Sequence, residues 1–220
     1  MNVKLISHSR TPIGPEPETN LQNLIAYCAR LSNPDNQMNS ETSEKLIRYL
    51  IKHGHWSPLE MANVCLEIET TRDIARQILR HRSFSFQEFS QRYADPTKDL
   101  NFTTREARLQ DTKNRQNSVE TDDVRIKETW HHKQLTIIEQ VQKAYRWAIE
   151  NGIAKEQARA VLPEGNIESR LYMNGTLRSW VHYIELRSGH GTQKEHMEMV
   201  RACAEAIEPI FPMIKEFVNE

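Results

Sequence analysis

The stretch "RHRSFSFQEFSQR", residues 80–92, gathers Arg80, His81, Arg82, Glu88, Ser90 and Arg92 among three phenylalanines. Guanidinium groups offer planar forks of charge-assisted donors, so arginines held close together suit a phosphate or another anion. Glu88 beside Arg92 can orient that arginine, or accept from a sugar hydroxyl or a base N–H. Ser90 supplies a small donor. A nucleophilic serine needs a neighbouring base, and none stands near it in the sequence. Three readings of the residues stay open. The arginines can end a helix favourably against its dipole with Phe84, Phe86 and Phe89 as ordinary core, they can form an anion pocket, or they can bind nucleic acid through cations and stacked aromatics.

Helical spacing in "TRDIARQILRHR", through Ile74, Ile78 and Leu79, leads into this stretch. It puts Gln77 one turn before Arg80 on the same face. After Arg82 the alternation of Phe84 and Phe86 with Ser83, Ser85 and Gln87 predicts an extended segment, anchored by Phe89. Upstream, "ANVCLEIET" alternates Ala62, Val64, Leu66 and Ile68 against Asn63, Cys65, Glu67 and Glu69, the period of a strand with one buried face. "MNVKLISH" reads as an edge strand and "IESRLYMNG" as a further strand.

Helices are predicted for "LQNLIAYCAR", capped by Thr19 or Asn20, and for "ETSEKLIRYLIKHG", closed by Gly54. A long one covers "DDVRIKETWHHKQLTIIEQVQKAYRWAIENG", closed by Gly152. "AKEQARAVLP" follows, then "TLRSWVHYIELRSG", whose apolar face is Leu177, Trp180, Val181 and Ile184. In this last helix Arg178 and His182 share another side. The final helix runs from Met197 to Phe217, bent at Pro209 and Pro212. The prolines of "TPIGPEPET" exclude a helix there. Residues 94–119 read as a long polar loop or partly ordered insertion with room for a short helix. Helices outnumber strands, and strands do not alternate regularly with crossovers. The expected fold is therefore α+β, one domain over residues 1–220, mainly antiparallel sheet flanked by several long helices.

Composition narrows the function classes. Hydrophobic residues make up 38% of the 220, charged residues 27%, and the formal net charge is -1, as in a soluble globular protein. There is no general basic field for nucleic acid, and no apolar run long enough for a membrane span. Cys28, Cys65 and Cys203 are few and far apart, which suits reduced thiols in the cytoplasm and no metal cluster. "HGHWSPLE" is a loop in which His53 or His55 would by default be a structural, buried histidine; a His-x-His metal site lacks a third ligand.

Arg80, His81, Arg82, seven residues, Ser90, one residue and Arg92 together resemble the signature of the flavin-dependent thymidylate synthases. "ARLSNP", "HGHWSPLE", "ARAVLPE" and "LRSWVHYIELR" are also similar to that family, so the resemblance covers most of the chain. It implies an α+β homotetramer with active sites at subunit junctions. The implied reaction methylates dUMP to dTMP with 5,10-methylenetetrahydrofolate as carbon donor, NADPH as reductant and FAD as hydride carrier, without an enzyme cysteine as nucleophile. By resemblance, the flavin is met by Ser32, His55, Ser57, Arg80, His81, Arg82, Glu88, Thr176, Arg178, His182 and Gln193. The nucleotide is met by Gln77, Arg80, Glu88, Ser90, Gln91, Arg92, Arg159 and Arg187. The resemblance makes Arg187 the catalytic residue, a fixed cation beside N3 of the uracil. Thr176 stands where many relatives carry asparagine, and Gly191 stands where many carry histidine, with His190 one residue earlier. The residues touching folate are not marked. Two alternatives remain: a flavoprotein that oxidises NADPH on another nucleotide, and an RNA-binding module. An ion pair between Arg187 and Glu185 also stays open.

Overall fold

A computed structural model describes residues 2–10 and 20–219. The "TPIGPEPE" segment and the Thr19 cap fall outside them. Among the described residues six strands, β1 (Asn2–His8), β2 (Asn63–Thr71), β3 (Ser85–Glu88), β4 (Arg108–Gln110), β5 (Ser118–Glu120) and β6 (Glu168–Thr176), accompany eight helices. The helices are α1 (Leu21–Ala29), α2 (Ser43–Lys52), α3 (Arg72–Ile78), α4 (Pro96–Asp99), α5 (Val124–Glu150), α6 (Lys155–Ala158), α7 (Leu177–Ser188) and α8 (Lys194–Ile207). The fold is α+β, with a central antiparallel sheet and long helices flanking it. The sheet order is β1-β2-β6-β3, so the N-terminal strand is an edge.

Local chemistry accounts for most boundaries. Asn20 caps α1 by accepting from the Gln22 N–H at 2.9 Å, Asp123 caps α5 through the Ile126 N–H at 3.1 Å, and Thr176 caps α7 through Ser179. Each satisfies a donor that the first helical turn leaves without an internal partner. Gly54 and Gly152, just past α2 and α5, take φ of 72° and 77°, the left-handed turn that a side chain disfavours. On β2, Val64, Leu66 and Ile68 are fully buried, while Cys65, Glu67 and Glu69 are only half-covered. That is the alternation the sequence predicts.

Three expectations need correction. The helix through "TRDIARQILRHR" stops at Ile78, because the chain must turn over residues 79–84 to enter β3. The last helix ends at Ile207 and a separate 3-10 turn spans Pro212–Phe217; prolines 209 and 212 bring no N–H to continue the ladder. "AKEQARAVLP" likewise divides into α6 and a 3-10 turn at Arg159–Val161. Residues 94–119 contain the short α4 and also an antiparallel pair, with Leu109 opposite Val119. Both are exposed, so no buried alternation betrays the hairpin.

The chain divides into two compact units. The first comprises Glu69–Arg80 and Glu88–Leu171. Within it Tyr145, Ala148, Ala158, Leu162 and Ile167 form a core against which Phe102, Val141 and Ile149 pack. Arg105 bridges Asp73 at 2.7 Å and Thr71 at 2.6 Å. Gln134, buried in the middle of α5, receives the Arg105 N–H at 2.8 Å and donates to its carbonyl at 2.9 Å.

The second unit comprises Asn2–Ile68, His81–Gln87 and the chain from Tyr172 onward. Its core holds Leu21, Ile25, Ile47, Leu59, Trp180, Ile184, Val200 and Phe211. Here α7 packs on α8, and α8 on β1. The Trp180 indole donates to the Val64 carbonyl at 3.0 Å, which satisfies the polar edge of a fully buried ring.

Candidate active site

Within the first unit, α3 presents Arg72 and Arg76 one turn apart. Arg72 Nη1 lies 3.5 Å from Glu88 Oε1 and Arg76 Nη1 lies 3.6 Å from Oε2. Both arginines also reach Glu164, at 3.8 and 3.4 Å. Fully buried Ser169 on β6 donates to Glu88 Oε1 at 2.8 Å. Glu88 is therefore fixed from three directions. Burial lowers the Arg72 guanidinium below its ordinary range; Glu88 and Glu164 oppose that shift, while the charges of Arg76 and Arg159 add to it. Arg72 and Arg76 thus face Glu88 and Glu164, with the charge of Arg159 near enough to be felt at Arg72, a cationic setting that suits an anion.

Gln77 is half-buried on α3, and Arg80 is exposed beyond its end. Ser90 accepts the Arg92 N–H at 3.4 Å. The Arg92 side chain meets Glu156 at 3.3 Å. Gln91 is buried, yet its Nε2 lacks a hydrogen-bond partner among the described residues. Buried donors without acceptors are costly and fit a site completed by a ligand oxygen.

Within the second unit, Thr176 Oγ1 caps α7 and lies 3.2 Å from Ser179 Oγ, which donates onward to the Ser83 carbonyl at 3.1 Å. The turn carrying His81 and Arg82 is thereby tied to the start of α7. His182 stacks obliquely on Trp56, ring centroids 4.3 Å apart, and Arg178 pairs with Glu60. These contacts bring the "HGHWSPLE" turn to the same helix. Arg82, His182, His55 and Ser57 are exposed, and Arg178 half-exposed, so this region offers donors and cations to solvent. The expectation of a buried histidine in that turn is not met: His53 and His55 are both exposed. Ser32, just past α1, is exposed. Gln193 begins α8 with its amide 2.9 Å from Glu195.

Arg187 Nε donates to His81 Nε2 at 3.0 Å. Arginine can only donate, so the accepting nitrogen carries no proton and His81 is neutral with its hydrogen on Nδ1. Glu185 is exposed, and the bond that Arg187 makes among the described residues is to His81, so the Glu185 pairing is not formed. The signature segment thus contributes to both units: Arg80 and residues 88–92 to the first, His81 to Gln87 to the second.

Arg72, Arg76, Ser169, Trp56, Glu60, Tyr183 and His196 escape the sequence reading. The four-residue spacing of Arg72, Arg76 and Arg80 is a usable signal for one cationic helix face. Nothing local marks the others.

No thiol is set up as a nucleophile. Burial raises Cys28, Cys65 and Cys203 above the ordinary range, and only a thiolate attacks. Cys65→Ala is expected to hold the activity of the chain within about twofold, since no thiol is activated. A complete loss would restore a cysteine mechanism. Among the described residues no three His, Cys, Asp or Glu side chains gather as metal ligands, and no helix is long and apolar enough to cross a membrane.

Known proteins share this architecture. A solved UMP/dUMP methylase, PolB from Streptomyces cacaoi bound with 5-Br dUMP, superposes with a TM-score of 0.78, covering 98% of this chain and 93% of that one at 23% identity. A probable flavin-dependent thymidylate synthase of Paramecium bursaria Chlorella virus 1 is 46% identical over 219 residues, 100% of this chain and 99% of the relative. The flavin-dependent thymidylate synthase of Synechocystis is 45% identical over 215 residues, 97% of each chain. The model of the thymidylate synthase complementing protein family matches residues 16–213. On this extent of likeness, carried over the signature segment and both units, the chain belongs to the flavin-dependent thymidylate synthase family.

Proposed function

We propose that this chain reductively methylates dUMP to dTMP, using 5,10-methylenetetrahydrofolate as carbon donor, NADPH as reductant and FAD as cofactor. Exposed cations and hydrogen-bond donors of the kind present suit both ligands. FAD would be held by the exposed donors and cations of the second unit (Ser32, His55, Ser57, His81, Arg82, Arg178, His182), with Thr176 and Gln193 at the starts of α7 and α8. Family resemblance adds Arg80 and Glu88 to the residues proposed for the flavin. When bound, the reduced flavin supplies the hydride that converts the transferred carbon to a methyl group.

The protein's part is binding, orientation and fixed charge. The surplus guanidinium charge around Arg72, Arg76 and Arg159, with Gln77, Ser90, Gln91 and Arg92, would hold the nucleotide. Glu88 is held in place by two arginines and a serine, ready to accept from a donor on either ligand. Arg187 would stabilise negative charge at N3 of the pyrimidine. One observation carries the reading: Arg187 donates to the His81 ring and makes no ion pair with a carboxylate among the described residues, so its charge and terminal nitrogens can face a ligand. A homotetramer with shared sites belongs to the same reading; exposed Val124, Trp130 and Trp147 on α5 offer apolar surface for it.

Omitting dUMP, folate, NADPH or FAD in turn tests the proposal. Formation of dTMP, with tritium released from dUMP labelled at C5, is expected only when all four are present. NADPH oxidation without dTMP would indicate a flavoprotein acting on another nucleotide. Flavin-free protein with tight, salt-sensitive RNA binding would indicate the RNA module.

A further inference from the structure

His81 is held between two residues of α7 one turn apart, Arg187 and Tyr183. Arg187 Nε reaches its Nε2 at 3.0 Å. The Tyr183 ring meets it edge to face, centroids 4.7 Å apart and planes at 78°. Phe84 and Trp180 also meet Tyr183 near the perpendicular, at 5.7 and 6.0 Å. Three aromatic neighbours therefore depend on the tilt of one phenol. That phenol is anchored at its far end: the Tyr183 hydroxyl and His196 Nε2 of α8 are 2.9 Å apart. Tyr183 is 2% exposed and His196 fully buried.

Two buried polar side chains are an expensive way to fill a helix–helix contact that phenylalanine and an aliphatic residue would fill without cost. A directional bond, however, fixes a ring as packing alone does not. We propose that Tyr183 and His196 are positioning residues: their shared hydrogen bond sets the tilt of the phenol, hence the orientation of His81 and the direction in which Arg187 presents its terminal nitrogens.

The electrostatics agree. Burial, with the charge of Arg187, lowers His196 to about 3, and burial raises Tyr183. Both are neutral near pH 7, so the strut adds no counter-charge to Arg187.

The kinetic arm of the test rests on the proposed function; the spectroscopic arm does not. Full-length protein with 15N-labelled histidine, with and without FAD, reports the His81 tautomer through two-bond proton–nitrogen correlations, assigned with His81→Gln. Wild type is expected to show the hydrogen on Nδ1. In Tyr183→Phe the tautomers should mix and kcat should fall about tenfold with KM for dUMP within about twofold, the signature of misorientation. The double variant Tyr183→Phe/His196→Leu removes both members of the bond and should leave tautomer and kcat as altered as in Tyr183→Phe. If the single variant does not fold, His196→Gln, which can still bond the phenol, should keep the wild-type tautomer while His196→Leu loses it. An Nε2–H tautomer in wild type, full recovery in the double variant, or equal mixing in His196→Gln and His196→Leu would each overturn the proposal. Wild type that makes no dTMP would instead defeat the functional reading and leave the tautomer result standing.

Discussion

Arg187→Ala is expected to reduce kcat for dTMP formation by about 100- to 1000-fold, the loss associated with removing one preorganised charge at a reacting centre. Flavin content should be retained, because the donors proposed for FAD in the second unit are carried by other residues. The measurement is single-turnover methylation on protein whose bound flavin has been quantified by absorbance. Equal loss of flavin and of turnover would contradict the assigned role. Arg187→Lys separates charge from geometry. It keeps a cation but loses the Nε–H that meets His81 at 3.0 Å, and lysine cannot present the same planar fork. An intermediate defect, about tenfold, is expected if orientation counts as well as charge. A lysine variant as inactive as alanine would assign nearly everything to the His81 contact, and one with full activity would assign everything to charge.

The second large effect is on stability. Gly175 lies buried on β6, and a Cβ there would stand 2.4 Å from Phe84 Cδ1 and 2.6 Å from Cε1. Phe84 has little room to yield, because its ring already packs edge-on against Trp180 at 4.9 Å and against Tyr183. Gly175→Ala should therefore destabilise the chain by about 2–3 kcal/mol, as overpacking does in tight cores. For a chain of this size that corresponds to a melting temperature lower by roughly 5–10 °C. Since Phe84 follows His81 and Arg82 closely, flavin occupancy should fall too. Adding Phe84→Leu removes the ring the new methyl would strike and should recover at least half of the lost stability. If calorimetry shows no such recovery, the cost arises elsewhere than at this contact.

Much of this arrangement is legible in the sequence wherever burial imposes a period. The alternation on β2, the apolar face of α7 and the glycine stops of α2 and α5 each follow from a local rule. So does the shared side of Arg178 and His182. What escapes is set by partners distant in the chain. Tyr183 and His196 are thirteen positions apart on different helices, and neither residue type announces a pair. Ser169 reads as an ordinary strand serine until Glu88 arrives beside it. The hairpin of β4 and β5 shows no alternation because Leu109 and Val119 both meet solvent. The end of α3 is decided by the need to enter β3 and not by any breaker within "ILRHR". The residues of the candidate site were named by family likeness, while their ion pairs and helix caps required the fold.

Short β3 carries a constraint on how this chain can change. Its backbone continues into the Phe89 N–H, which donates to the Arg170 carbonyl at 2.8 Å, so the segment is pinned at that rung of the ladder. Side chains along a strand point alternately to opposite faces, and a slip of one position turns all of them over. The register of the whole strand is therefore set at that rung. A single inserted or deleted residue there would either tear the rung or swap Phe86 for a serine or glutamine on the inner side. Length in this stretch should be far less negotiable than identity: drift can replace its letters one at a time, but it cannot add one.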